Sequence, residues 1–336
     1  MFVPKYKLTE KLLINLTEIE RLYGQIETLR LPRELQLNLE RNNLTQSTYI
    51  SNSIEGNPLS QVEVTNLLLG DRVPVNRDEK EVKNYFEILK NLTSLNKAKI
   101  TPETVLEIHQ KLMKGIKDEI AGQIRDSRVI IGSRNKIGEI QIQHEPPSHN
   151  KEEILLMLDN LFEWLSSSNI PIPLKAGIWH HQFVYIHPFV DGNGRTCRLL
   201  TALIFLRENY LINKYFVLDD YYDIDRTQYS EKLHTADGGD KTQWLEYFTD
   251  GLKYSLQGAL GKAKEALSTM TISQQPTTKE KEVLEMFREY TEISSAMLVK
   301  RSNISRQQAH KLLQSLVNRG LIQKHGSTKA SYYVLS

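Results

Sequence analysis

Residues 187–198 read His187-Pro188-Phe189-Val190-Asp191-Gly192-Asn193-Gly194-Arg195-Thr196-Cys197-Arg198. Upstream, Trp179, Phe183 and Ile186 fall on one face of a helix that Pro188 stops. Gly192 and Gly194 flank Asn193 and open backbone conformations closed to other residues. Their N–H groups can converge into an anion-binding nest. The next helix begins at once, so the positive end of its dipole faces the same spot. Arg195 and Arg198 are three apart on that helix, and arginine grips polyphosphate oxygens bidentately. Asp191 is a hard oxygen ligand suited to Mg²⁺ bridging phosphates. His187 is a general base that works near neutral pH. The competing reading is a plain loop between core helices, with capping glycines and surface arginines. Convergence of His, Asp, Asn, two Gly and two Arg within twelve residues favours the phosphate site.

Outward from this loop the pattern is helical. Leu12, Leu13, Leu16, Ile19 and Leu22 keep a helical rhythm that Ile26 and Leu29 carry to Pro32. A second helix is expected over 78–95, with Val82, Tyr85, Phe86 and Leu89 on one stripe. Thr101-Pro102-Glu103-Thr104 opens a third, with Leu106, Ile108, Leu112 and Ile116. Two short strands, 128–132 and 139–143, form the one strong hairpin signal of the central region. Helical spacing returns over 151–164, 174–186, 193–209 and 226–234. His180, His181 and His187 invite a metal reading, but adjacent histidines diverge on a helix and no zinc-type context supports it. Cys197 reads as inert packing.

The chain has 336 residues, 40% hydrophobic and 25% charged, which disfavours disordered, collagen-like and membrane classes. No apolar run approaches the roughly 18 residues that span a bilayer. The N-terminal stretch has the character of neither a signal nor a transit peptide. One cysteine forms no intramolecular disulfide, and a reducing, cytoplasmic setting is expected.

A polar, uncharged run over 268–278 reads as a linker. Beyond it, residues 279–336 read as three helices and two strands around Gly326, resembling a winged helix-turn-helix. From Ile293 onward there are seven basic residues and no acidic one. Arg306, Gln307, His310 and Lys311 would form the exposed face of the recognition helix, with Lys324 and Lys329 on the wing. DNA contact through phosphates and use of the same fold for protein contacts both remain open. The net charge of +2 is thus an average: residues 277–336 carry ten Lys+Arg against five Asp+Glu, a net of +5, leaving −3 for the rest.

The 187–198 motif resembles the signature of the Fic (filamentation induced by cAMP) family of nucleotidyl transferases at every defined position. The resemblance covers roughly residues 40–265. It implies a mainly α fold: a Fic-type helical core with a small β-hairpin flap, here followed by the winged helix. The expected division is an N-terminal helical region over 1–100, a catalytic core over 101–267, the linker and the winged helix over 279–336. It implies transfer of AMP from ATP to a Ser, Thr or Tyr hydroxyl of a protein not identifiable from sequence. Self-modification and homodimerisation are compatible with it; a membrane partner is not expected.

The resemblance also assigns roles. His187 deprotonates the target hydroxyl and Asp191 holds Mg²⁺. Gly192, Asn193 and Gly194 cradle the phosphates, and Arg195 and Arg198 bind the outer ones. Phe189 packs below the loop. Gly194 favours AMP transfer, because a kinase-like branch has lysine there. Ser51-Asn52-Ser53-Ile54-Glu55-Gly56 resembles the family's inhibitory motif, on a helix over about 45–57. Glu55 would pair with Arg198 and occupy the γ-phosphate position, with Ser51 fixing the helix near Asn193. Ile140, Gln141 and Ile142 would form the flap edge that receives target backbone by strand addition. Tyr229 would help line the adenine pocket. Two alternatives stay open: a DNA-binding regulator with a nucleotide-sensing core, and a transferase that uses another phosphate-linked donor or removes AMP.

Overall fold

The structure is a computed structural model that describes residues 2–29, 31–70, 72–95, 100–134, 140–210, 216–269, 276–326 and 331–336. Its centre is α7 (Ile172–Ile186) against α8 (Asn193–Arg207). Both are buried on nearly every side: Trp179, Phe183, Leu199, Leu203 and Phe205 have no exposed surface. All-round burial explains the apolar run of α7 and of 199–206 in α8, since a helix hydrophobic all round belongs inside, while the first turns of α8 bury Arg195 and Arg198 with carboxylate partners. Gly177 lets α11 (Thr242–Thr269) approach α7, because a Cβ there would meet Leu245 Cδ2 at 2.8 Å.

Around this pair lie α4 (Arg77–Leu95), α5 (Pro102–Met113) and α6 (Lys151–Ser167). Thr101 caps α5 as expected, its hydroxyl accepting from Thr104 N, with Pro102 in the first turn. That helix ends before Ile116, at Met113, and Gly115 turns the chain with φ +70°.

The first hundred residues do not form a body of their own. Helix α1 (Glu10–Thr28) lies along α11, with Leu12, Ile19, Leu22 and Ile26 in the same core as α7 and α8. Asn15 donates to Thr249 Oγ1 (3.1 Å) and Asp250 Oδ1 (2.9 Å). The expected helix over 45–57 is longer and ends earlier: α2 spans Arg33–Ile54. Its first half escapes periodicity because Asn38, Asn42, Asn43 and neighbouring polar residues blur the stripe. α3 (Gln61–Leu69), with a Ser60–Glu63 capping box, packs on α2 and α4.

The hairpin exists, shifted by one to three residues: β1 (Ile131–Arg134) pairs antiparallel with β2 (Ile140–His144). The described part of the expected linker is helical at both ends, since α11 reaches Thr269 and α12 starts at Thr278.

The C-terminal module contains α12 (Thr278–Met286), β3 (Ile293–Ser294), α13 (Ser295–Ser302), α14 (Arg306–Asn318), β4 (Ile322–His325) and β5 (Tyr332–Leu335). The strands form one sheet in the order β3-β5-β4. Val283, Leu284, Leu298, Leu313, Leu316 and Tyr333 build its core. Ser305 caps α14 in a capping box with Gln308. This is the helix-turn-helix with a wing read from the sequence. No helix among the described residues is long and apolar enough to cross a membrane.

Candidate active site

Helix α7 ends on His187, which adopts the left-handed conformation (φ 50°, ψ 63°) with its N–H on Phe183 O. A non-glycine residue there is strained unless its surroundings fix it. Arg125 supplies much of that fixing. Almost fully buried, it gives Nε to His187 O (2.6 Å) and Nη2 to Ser148 O (2.7 Å) and Ile186 O (3.2 Å), and its own N–H meets Pro188 O. The His187 ring sets Nδ1 3.3 Å from Val184 O. A carbonyl accepts only, so Nδ1 carries the proton and Nε2 keeps its lone pair. Burial pushes the imidazole down to about 4, keeping it neutral at pH 7.

The loop after His187 folds over its own side chains. Asn193 Oδ1 accepts from Phe189 N and Nδ2 donates to Phe189 O, both at 2.9 Å. The amide thus closes the loop on itself through one donor and one acceptor. Phe189 is buried as expected, stacked on His109 with ring centroids 3.6 Å apart. His109 Nε2 meets Asp191 O at 2.9 Å, and its Nδ1 accepts from Gly122 N. Gly192 sits at φ +77° as the N-cap of α8. A Cβ there would also crowd Met113 Sδ at 3.1 Å.

Asp191 Oδ2 pairs with Lys117 Nζ (2.5 Å) and its Oδ1 accepts from Gly192 N (2.6 Å). Burial pushes this carboxyl up, but Lys117 and Arg195 outweigh it and hold it below the usual range. Lys117 occupies the position a cation takes beside a carboxylate, so the residue fits a Mg²⁺ ligand that leaves other positions to phosphate and water. Arg195 is buried between Glu81 Oε2 (3.2 Å) and Asp191 Oδ1 (3.5 Å). It faces carboxylates on both sides.

Arg198 is the meeting point with the N-terminal region. Its Nε donates to Ser51 Oγ (2.7 Å), and Nη2 donates to Ser51 O and Glu55 Oε1 (both 2.8 Å). Ser51 therefore holds Arg198 rather than Asn193. Glu55 is the C-cap of α2, and Gly56 follows at φ +86°. Arg226 secures the same turn through Ser53 O (2.8 Å) and Ser53 Oγ (2.9 Å). Gly194 is what admits the glutamate: a Cβ there would lie 2.1 Å from Glu55 Oε1.

Other expectations fare unevenly. Tyr229 is 7% exposed, its hydroxyl lies 2.9 Å from His180 Nε2 and its ring stacks on Tyr222. His180 and His181 do diverge, His181 turning to Asp237 and Lys241. His144, at the end of β2, joins Asp237 at 2.8 Å and Tyr185 O at 3.0 Å, anchoring the hairpin beside the loop. Ile142 is 54% exposed, and Ile140 and Gln141 belong to the same strand. Cys197 is fully buried, and burial pushes its thiol up. Arg306, Gln307, His310, Lys311 and Lys324 are all exposed on the C-terminal module; Lys329 lies outside the described residues.

Sequence reasoning missed Arg125, His109, Lys117 and Glu81. The available signal was weak: His109 and Glu81 lie within helices and Lys117 and Arg125 in the irregular stretch after α5, and their partners are met only once the loop is closed over them.

Residues 99–205 match the Fic/DOC family and residues 281–326 match the IclR helix-turn-helix domain. A protein adenylyltransferase Fic of Aedes aegypti is 31% identical over 254 residues, covering 71% of this chain and 46% of the relative. One from Nematostella vectensis is 30% identical over 214 residues, covering 60% and 45%. The chain thus spans less than half the length of these curated relatives. A solved Fic family protein from Desulfovibrio desulfuricans G20 matches with a TM-score of 0.66 and 25% identity, covering 100% of this chain and 98% of that one. The chain carries a Fic/DOC domain over residues 99–205 and an IclR-type helix-turn-helix over residues 281–326.

Proposed function

We propose that this chain is a protein adenylyltransferase that moves AMP from ATP to a hydroxyl of a protein and is restrained by Glu55. The observation that carries the reading is a neutral His187 at the rim of a loop whose Gly192–Gly194 backbone opens α8, with Arg198 one turn along. The adenylyltransferases named above support the choice of chemistry.

His187 Nε2 accepts the proton of the target hydroxyl while Nδ1 stays on Val184 O. The freed oxygen attacks the α-phosphorus in line, the bond to the bridging oxygen breaks, and diphosphate leaves. Such a displacement depends on positioning and charge neutralisation. The N–H groups at the start of α8 and the Arg198 guanidinium meet phosphate oxygens. Asp191, exchanging Lys117 for the ion, would hold Mg²⁺, which neutralises phosphate charge when bound. Ile142 and its strand offer a free edge to target backbone.

Glu55 blocks this arrangement by holding Arg198 and placing a carboxylate where an outer phosphate would sit. Phosphate must displace the carboxylate from Arg198, so the pair competes with ATP. We also infer that the exposed basic face of α14 and β4 contacts DNA phosphates, since no acidic residue follows Ile293.

The test uses the full chain with Mg²⁺, a mixed protein substrate and ATP labelled at the α-phosphate. Labelled protein that disappears in His187→Ala supports the reading. Label transferred only from the γ-phosphate, or no label even with Glu55→Gly, contradicts it.

A further inference from the structure

Helix α2 touches both parts of the molecule. Its C-terminal turn carries Ser51 and Glu55 to Arg198, and its other half is seated in the C-terminal module. Leu37 is 4% exposed and belongs to the module's core with Val283, Leu284, Ile322 and Leu335. Arg33 pairs with Glu285 of α12 through Nη2 at 2.9 Å. Arg41 gives Nη1 to Leu335 O (2.6 Å) and Nη2 to Ser336 O (3.0 Å) at the end of β5. Glu34 is 1% exposed between these contacts, and burial pushes its carboxyl up.

The helix depends on docking, to the module at this half and to α4 at the other. Over Arg33–Ile54 it carries Asn38, Asn42, Asn43, Thr45, Ser47, Thr48, Ser51, Asn52 and Ser53, residues of modest helix propensity. Pro32 provides no side-chain cap at its start. A 22-residue helix of such composition takes its stability from docking. Its length, about 33 Å at 1.5 Å per residue, separates the two docking sites along one rigid rod. Glu55 caps its C-terminal end, and helix ends are where fraying begins.

We propose that the C-terminal module is a clamp on the inhibitory helix, with Leu37 and Arg41 as positioning residues that hold Glu55 on Arg198. The proposal rests on the adenylyltransferase reading for its activity readout, but its mechanical content stands apart. Core-side anchors such as Ser47 on Asp219 (2.9 Å) share the task, so the clamp contributes part of the restraint.

The experiment uses the full chain with Arg41→Gln and, separately, Leu37→Ala. Arg41→Gln removes hydrogen bonds without opening the module's core, and thermal melting checks that both variants fold. Two quantities are read: labelling from α-labelled ATP, and hydrogen exchange of the segment 47–57. The clamp requires faster exchange over 47–57 in both variants. It also requires labelling about 3-fold or more above wild type, smaller than the gain from Glu55→Gly. Added to Glu55→Gly, either substitution should change labelling by less than 2-fold, because nothing is left to release. Unchanged exchange over 47–57 in folded variants overturns the proposal. So does a labelling gain that is equally large on top of Glu55→Gly. If Glu55→Gly itself labels nothing, the activity reading falls, and the exchange measurement decides the clamp alone.

Discussion

The loop at 187–198 and the helix α2 meet at Arg198, yet they differ in how much of their support is a side chain that can let go. The loop is fastened from beneath by buried groups that bond its backbone: Arg125 on His187 O, His109 on Asp191 O, and Asn193 on both backbone groups of Phe189. Helix α2 is held at its functional end through two arginines of other elements, which bond the side chains of Glu55, Ser51 and Ser53 and the backbone oxygens of Ser51 and Ser53. Preorganised catalytic parts need the first kind of support and a removable brake needs the second. The two ends also differ in exposure: Arg198 is 4% exposed, while the Glu55 side chain is 30% exposed.

The largest expected effect lies in the loop. His187→Ala in the Glu55→Gly protein should lower the initial labelling rate by roughly 10²–10⁴-fold, the range for removing a general base. A drop below tenfold would give the base role to another group.

Acid should strike the loop's supports next. Burial holds His109 and His181 down to about 4 and His180 to about 3. Their unfolded values lie near 6.5, so between pH 6.5 and 4 the unfolded chain binds more protons and stability falls as pH falls. From pH 6.5 to 5.5 these three groups give a loss of about 3 kcal/mol, roughly 1 kcal/mol each because a free imidazole is only half protonated at pH 6.5, and His187, held down to about 4 as well, adds a similar amount. Urea unfolding at pH 6.5 and 5.5 checks this; equal midpoints would remove the buried-histidine account. Labelling itself should stay level from pH 8 to 6, because His187 is already neutral there.

Arg125→Met should cost about 3 kcal/mol by leaving buried carbonyl groups unpaired, and should depress labelling with it. Thermal melting and the labelling rate, measured together, test whether loop closure and activity are linked. The smallest effect belongs to the basic face of α14. Replacing Arg306 or Lys311 by Ala should weaken duplex DNA retention modestly and lower the salt slope by about 1 each. Retention indifferent to salt would point away from phosphate contacts.

What the sequence made legible follows the same contrast. The phosphate loop is contiguous, so its glycines, acid and arginines could be read from spacing, and the helices around it from apolar stripes. The Glu55–Arg198 pairing was reached by resemblance, since 143 residues separate the partners. Arg125, His109 and Glu81 escaped notice because their roles exist only after distant segments close on the loop. For Asn193 and Tyr229 the pattern reports position and not the bonds each side chain makes, to Phe189 and to His180. The first half of α2 was missed because the residues that dock it, Leu37 and Arg41, sit among polar neighbours and meet a partner nearly 300 residues away.

One comparison bears on the central claim most directly: incorporation of α-labelled ATP into protein by wild type and by Glu55→Gly, side by side, at pH 7.5 with Mg²⁺. Release of Arg198 should raise labelling at least tenfold, and His187→Ala should abolish the gain. Equal labelling by the two proteins would contradict the account.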